Sequence, residues 1–212
     1  MAHESIMIAK IDEMRRTQGF LGVEAVLALA ETGNVVLDPF SILIANNARI
    51  GASNIFYPGV TIRCVAPGEL TIGDGNTFHS GTWLSAEMGT LTIGNSNLFG
   101  EGGGFMAKAD RAGARIVIGD HGRYQGGASV FGETFLGSGS QLLGMIMVDS
   151  CHLAAGGSFR ESDPDSRAAL LKGQGVARNL RLEVGQVIST RDEFTMDGVK
   201  PQSFFHPKVS RS

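Results

Sequence analysis

Charge is scarce in this chain. Asp, Glu, Lys and Arg make up 18 % of its 212 residues, against roughly 25 % in ordinary globular domains, which leaves too little for long solvent-facing helices laced with ion pairs. Cysteine is scarcer still: Cys64 and Cys151 cannot build a disulfide framework and lack the paired spacing of a zinc finger. They are expected as buried or half-buried free thiols in a reducing compartment. Excess positive charge is also absent. A net charge of −3 offers no basic footprint, so nucleic acid is not an expected partner. No run of about 18 apolar residues occurs, so no membrane-spanning helix is expected. The first residues lack a basic stretch followed by an apolar run and a small-residue cleavage site, and a cytoplasmic location is expected from that. Glycine, by contrast, is plentiful. Thirty glycines are about twice the usual share of roughly 7 % and point to many tight corners, while 42 % hydrophobic residues are enough to fill a core.

The glycines fall into a rhythm. Between Ile118 and Leu153 an apolar residue heads every block of six: Ile118, Tyr124, Val130, Leu136, Leu142 and Val148. The fifth place of a block is small or hydroxylated, as in Gly122, Ala128, Thr134 and Ser140. A helix repeats its apolar face at three and four and a half-buried strand alternates at two, so a period of six belongs to neither. Six residues hold one short strand and one corner, which predicts a coil wound from flat faces. Side chains alternate along each strand, so the head and the residue two before it both point into the lumen.

Upstream, Ile44, Ile50, Phe56 and Ile62 keep the same spacing; the series then jumps to Ile72, Phe78 and Leu84, to Ile93, Phe99 and Phe105, and to Ile118. Each jump comes three blocks after the previous one. If three blocks make one turn, the extra residues leave the coil at one shared corner and stack. After each jump comes a similar strand, Leu70-Thr71-Ile72-Gly73-Asp74, Leu91-Thr92-Ile93-Gly94-Asn95 and Ile116-Val117-Ile118-Gly119-Asp120, ending in residues that tolerate a corner. The chain therefore divides into a helical cap over residues 1–43, a coil over 44–199 with a charged loop at 160–175, and a tail over 200–212. The cap rests on apolar stripes, Ile6, Ile8, Ile11 and Met14, then Val23, Val26, Leu27 and Ala30, with Gly33 as terminator. It would cover the otherwise open end of the coil. The sixes resume at Val176, Leu182, Ile188 and Phe194. Phe204 and Phe205 in the tail are candidates for packing on a neighbouring surface.

These blocks, aliphatic, small, two variable, small or hydroxylated, variable, resemble the hexapeptide-repeat acyltransferase superfamily over residues 44 to 159 and more loosely over 176 to 199. The resemblance implies an all-β fold, a left-handed parallel β-helix of triangular section, an exception to the right-handed crossover preference. It also implies a homotrimer with sites between subunits.

Five histidines are candidates for proton transfer or metal ligation. His3 and His206 lie in terminal segments; His79 and His121 point outward from the coil. His152 stands in the fifth place of its block and so is expected in the lumen, where a polar ring needs partners. The stretch Met147 to His152, followed by a polar loop with Asp163, Pro164, Asp165 and Arg167, resembles the part of the hexapeptide-repeat sugar acetyltransferases where Asp and His precede a loop. That implies His152 as general base on an acceptor hydroxyl or amine and Asp149 as the group orienting it; His79, outward on a face along which trimer clefts would run, is the reserve candidate. The co-substrate implied is acetyl-CoA or another acyl-CoA, with Lys108, Arg111 and Arg115 meeting its phosphates, and the acceptor a small sugar-like molecule. A nucleophilic thiol at Cys151 is a further candidate.

The chain departs from the family in two places. Its usual Trp-Ile-Gly coil and Gly-Asn-Pro-Ala-Lys turn are missing after Leu182-Glu183-Val184-Gly185, and no block carries His in the third place. Two alternatives therefore stand beside acyl transfer. One is a non-catalytic trimeric scaffold that presents its loops to a ligand. The other is a γ-carbonic-anhydrase-like enzyme, in which three converging histidines would hold zinc; His79 and His121 lack a third, and no metal is expected.

Overall fold

The computed structural model describes residues 2–206, with side chains from Met7 onward; the side chains of His3 and Ile6 and the tail beyond His206 lie outside the described residues. Helix α1 (Ala2–Thr17) and helix α2 (Val23–Ala28), the latter running into a 3-10 turn (Leu29–Thr32), form the cap. The first helix is held differently from its expected apolar stripe. Met14 is 71 % exposed, whereas Asp12 and Arg15 are buried. The Asp12 carboxylate accepts the Val23 N–H at 2.7 Å, satisfying an open donor at the start of α2. Arg15 donates to the carbonyls of Pro39, at 2.9 Å, and Ile42. The second helix turns Val23 and Val26 inward, and Gly33 ends the segment at φ 76°.

The coil has three faces. On the first lie Val35–Val36, Ile55–Phe56, Thr77–Phe78, Leu98–Phe99, Arg123–Gln125 and the start of Gln141–Asp149. The second carries Leu43–Ile44, Thr61–Cys64, Thr82–Ala86, Phe105–Ala109, Ala128–Phe131 and the end of Gln141–Asp149. These two faces, with Leu170–Arg178, Gln186–Thr190 and Val199–Pro201 added beyond Gln141–Asp149, form one 14-stranded sheet, and the third face is a 7-stranded sheet of Arg49–Ile50, Glu69–Ile72, Thr90–Ile93, Arg115–Ile118, Glu133–Leu136, His152–Leu153 and Arg181–Leu182. Apart from the last strand, Val199–Pro201, the strands along the three faces pair in parallel. This is the all-β parallel solenoid with three flat faces per coil that the block pattern predicts. It begins at Val35 rather than Ile44, because Val35 and Val36 already pair with Ile55 and Phe56.

Segments 65–68, 87–89 and 110–114 all leave between the second and third faces, the shared corner that the spacing predicts. One block head is corrected. Ala107, not Phe105, pairs with Leu84 and Val130, while Phe105 takes the small position beside Thr82 and Ala128. The cause is a glycine corner, with Gly100, Gly102, Gly103 and Gly104 all at positive φ, which adds two residues before the second face. The charged loop leaves elsewhere, between the third and first faces over residues 154–169, and decorates that corner without replacing a face. It is shorter than expected at its far end, since the strand Leu170–Arg178 already pairs with Gln141–Asp149. Two later heads fall one residue off the sixes: Leu153, five rather than six after Val148, and Ala177 instead of Val176.

Two internal stacks fix the register. Phe56, Phe78, Phe99 and Tyr124 lie ring on ring at 5.3, 5.0 and 5.2 Å, within the range in which aromatic pairs add to simple burial. Two residues before these heads and before Val36 stand Asn34, Asn54, Asn76 and Asn97, all buried. Each Oδ1 accepts a backbone N–H from the next coil, at Asn54, Asn76, Asn97 and Gly122. The side-chain amides donate to the carbonyls of Gly51, Gly73, Gly94 and Gly119. The ladder stops at Gly122 because the Tyr124 hydroxyl fills the space: a Cβ there would lie 2.2 Å from it.

The far end is closed by Val199–Pro201, which pairs antiparallel to Gln186–Thr190. Gln202, buried, donates to the Ala168 carbonyl at 2.7 Å. Phe204 and Phe205 meet edge to face and stay exposed.

Candidate functional site

The stacked insertions stop at residue 114, and the coils beyond have a shorter corner there. Ser150 and Asn179, at φ 55° and 52°, make the bend in one residue fewer than the regular block. Beside this corner the third face holds a cleft of about 410 Å³, lined among others by Arg115, Glu133, Phe135, Ser150, His152 and Arg181.

The shortened corner also reverses the expected direction of His152. His152 pairs with Phe135, and Leu153 with Leu136, so the inward place belongs to Cys151 and the imidazole faces out into the cleft. The ring stacks on Phe135 at 4.9 Å between centroids. Its Nδ1 is shielded from solvent and has no hydrogen-bond partner among the described residues. Asp149 does not orient it. The Asp149 carboxylate accepts the Ser150 hydroxyl at 2.9 Å and lies over Gly132, on the second-face side of the corner. The expected Asp149–His152 pair is therefore not assembled in the protomer.

The other candidates are spread around the prism. His79 stacks on Tyr57 at 4.5 Å on the first face. His121, at φ 57°, lies at the opposite corner in a groove with Ser158, Phe159 and Arg160. His206 is exposed on the end segment. Of the basic trio, Lys108 lies over the Trp83 ring at 5.4 Å on the second face, Arg111 is in the exposed turn of the last insertion, and Arg115 alone reaches the cleft. Among the described residues no three His, Cys, Asp or Glu side chains converge to hold a metal. No helix among them is long and apolar enough to cross a membrane.

Glu133, Phe135 and Arg181 are cleft residues that the block pattern did not single out. They become visible once the heads are placed correctly. Val117, Phe135, His152 and Arg181 each stand one before a third-face head and form one outward column.

Cys151 forms the floor and is unsuited to nucleophilic attack. It is 1 % exposed; its Sγ is 3.4 Å from the Ala177 carbonyl and accepts the Leu180 N–H at 3.4 Å. Burial pushes its thiol pKa up, as it does for Cys64, and a raised pKa removes reactive thiolate near neutrality. At pH 8, iodoacetamide is expected to label both cysteines at least about tenfold more slowly in the native protein than in urea, as read by mass spectrometry. Equal rates would contradict the buried placement.

No family model matches the chain, and no curated protein matches it. Among solved structures, Francisella novicida UDP-N-acetylglucosamine acyltransferase aligns with a TM-score of 0.38 at 13 % identity, over 83 % of this chain and 75 % of that one. LpxA from Acinetobacter baumannii aligns with a TM-score of 0.28 at 16 % identity, over 74 % of this chain and 69 % of that one.

Proposed function

We propose that the protein transfers an acyl group, acetyl from acetyl-CoA, to a hydroxyl or amine of a small sugar-like acceptor held in the third-face cleft. The observation that carries this reading is the outward turn of His152, which puts its imidazole ring in the third-face cleft. His152 would take the acceptor proton as the acceptor atom attacks the thioester carbonyl. The collapsing intermediate expels the CoA thiolate, which recovers that proton from the imidazolium. Stacking on Phe135, rather than a carboxylate, orients the ring. Arg115 is the member of the basic trio placed to meet a phosphate of the donor. In this reading the protein is a homotrimer, and a neighbouring copy roofs the open side of the cleft.

The unassembled Asp149–His152 pair favours the second reading, a non-catalytic scaffold. The two separate on one measurement. Acetyl-CoA at a hundred times its Kd stabilises a specific binder by about 2.7 kcal/mol, so millimolar acetyl-CoA is expected to raise the melting temperature by several degrees. An unchanged melting curve would leave the scaffold.

A further inference from the structure

Resting on the acyl-transfer reading of this cleft, we infer that the acceptor carries an anionic group, a carboxylate or a phosphate, bound by Arg181 beside His152. Arg181 and His152 are direct register partners on adjacent strands of the third face, and both line the cleft. Neighbouring parallel strands stand about 4.8 Å apart, so a group held by the guanidinium brings the rest of a small acceptor over the imidazole.

The charges in the cleft are unequal. Among the described residues Glu133 is the only carboxylate lining it, and it pairs in register with Arg115, two strands from Arg181. Glu183, the nearest acid to Arg181 in sequence, is exposed beyond Leu182, does not line the cleft and makes no ion pair with Arg181; Asp149, the nearest acid to His152, has its carboxylate on Ser150 and Arg178 as its register partner. Arg181 makes no ion pair or side-chain hydrogen bond among the described residues. A positive group thus stands unbalanced next to the proposed base in a chain whose net charge is −3. The planar guanidinium fork suits a carboxylate or phosphate through two parallel hydrogen bonds. A neutral acceptor would leave it without such a partner.

The test compares glucose, glucuronate and glucose 6-phosphate as probes, by calorimetry on the full chain and on the Arg181→Gln and Arg181→Lys variants. Binding of at least one acidic probe is expected to be about tenfold or more tighter than glucose. That preference disappears in Arg181→Gln and is partly kept in Arg181→Lys. A merely structural role for Arg181 would shift all three probes together. Equal affinity for acidic and neutral probes, or a preference that survives Arg181→Gln, overturns the inference. So does a loss in Arg181→Gln confined to CoA binding, which would assign the guanidinium to the donor. Acid-selective binding without acyl transfer would leave the anion site standing and remove the acyl-transfer reading. Transfer that ignores acceptor charge would do the reverse.

Discussion

His152→Ala is expected to lower acyl transfer by about 10²- to 10⁴-fold, the range for losing a positioned general base, while leaving the fold intact. The structural cost is small because two effects oppose each other. The ring stack on Phe135 contributes about 0.5–1.5 kcal/mol, but truncation also removes a shielded Nδ1 that has no partner. His152→Phe separates ring from nitrogen: it keeps the stack, so its melting temperature should match the parent and its activity should match His152→Ala. Activity within a factor of two in either variant would remove His152 from the mechanism. Asp149→Asn should change turnover far less, since that carboxylate bonds Ser150 rather than the imidazole. A loss as large as that of His152→Ala would mean that the pair forms only when the acceptor binds.

The largest stability effect is expected from Asn76→Ala, a loss of about 3–5 kcal/mol in urea denaturation. Asn76 accepts the Asn97 backbone N–H at 2.9 Å and its side-chain amide at 3.0 Å. It also donates to Asn54 Oδ1 at 3.0 Å and to the Gly94 carbonyl at 2.9 Å. Truncation leaves the Asn97 N–H and the Gly94 carbonyl without these partners in a buried corner, and each buried orphan costs about 1–3 kcal/mol. Asn76→Asp keeps the shape but replaces donors by a buried carboxyl, whose folded pKa must rise above its unfolded value of about 3.9. Its penalty is then smallest below pH 4 and grows as the pH rises towards the folded pKa. A loss below about 1 kcal/mol in Asn76→Ala would mean that the ladder decorates the coil without holding it.

The fold was legible where each block kept its length. From Ile118 to Val148 every predicted head lies in the lumen, and the jumps after Ile62 and Leu84 place two of the stacked insertions at their corner. Errors arose at corners whose length changed without a hydrophobic signature. The run Gly100–Gly104 absorbed two residues, so Phe105 was read as a head although Ala107 fills that place. The corners at Ser150 and Asn179 are one residue shorter than the regular block, Val148 to Leu153 and Ala177 to Leu182 against Val130 to Leu136. A single-residue change turns a side chain to the other face of a strand. That is why His152 was expected inside and lies outside, with Cys151 in its place. The asparagine ladder left a trace in Asn54, Asn76 and Asn97, each two before a phenylalanine, but only the bonds between coils show what the repeat does. The cleft left none, because it lies beside a corner whose shortening has no hydrophobic signature.

The antiparallel strand Val199–Pro201 has a consequence for how large the molecule can become. Parallel coils stacked in register present at each end an edge that matches the other, so an uncapped prism could add copies head to tail and grow into a filament. Reversing the chain direction at the last edge, with helices laid over the first, breaks that match and works against such head-to-tail growth.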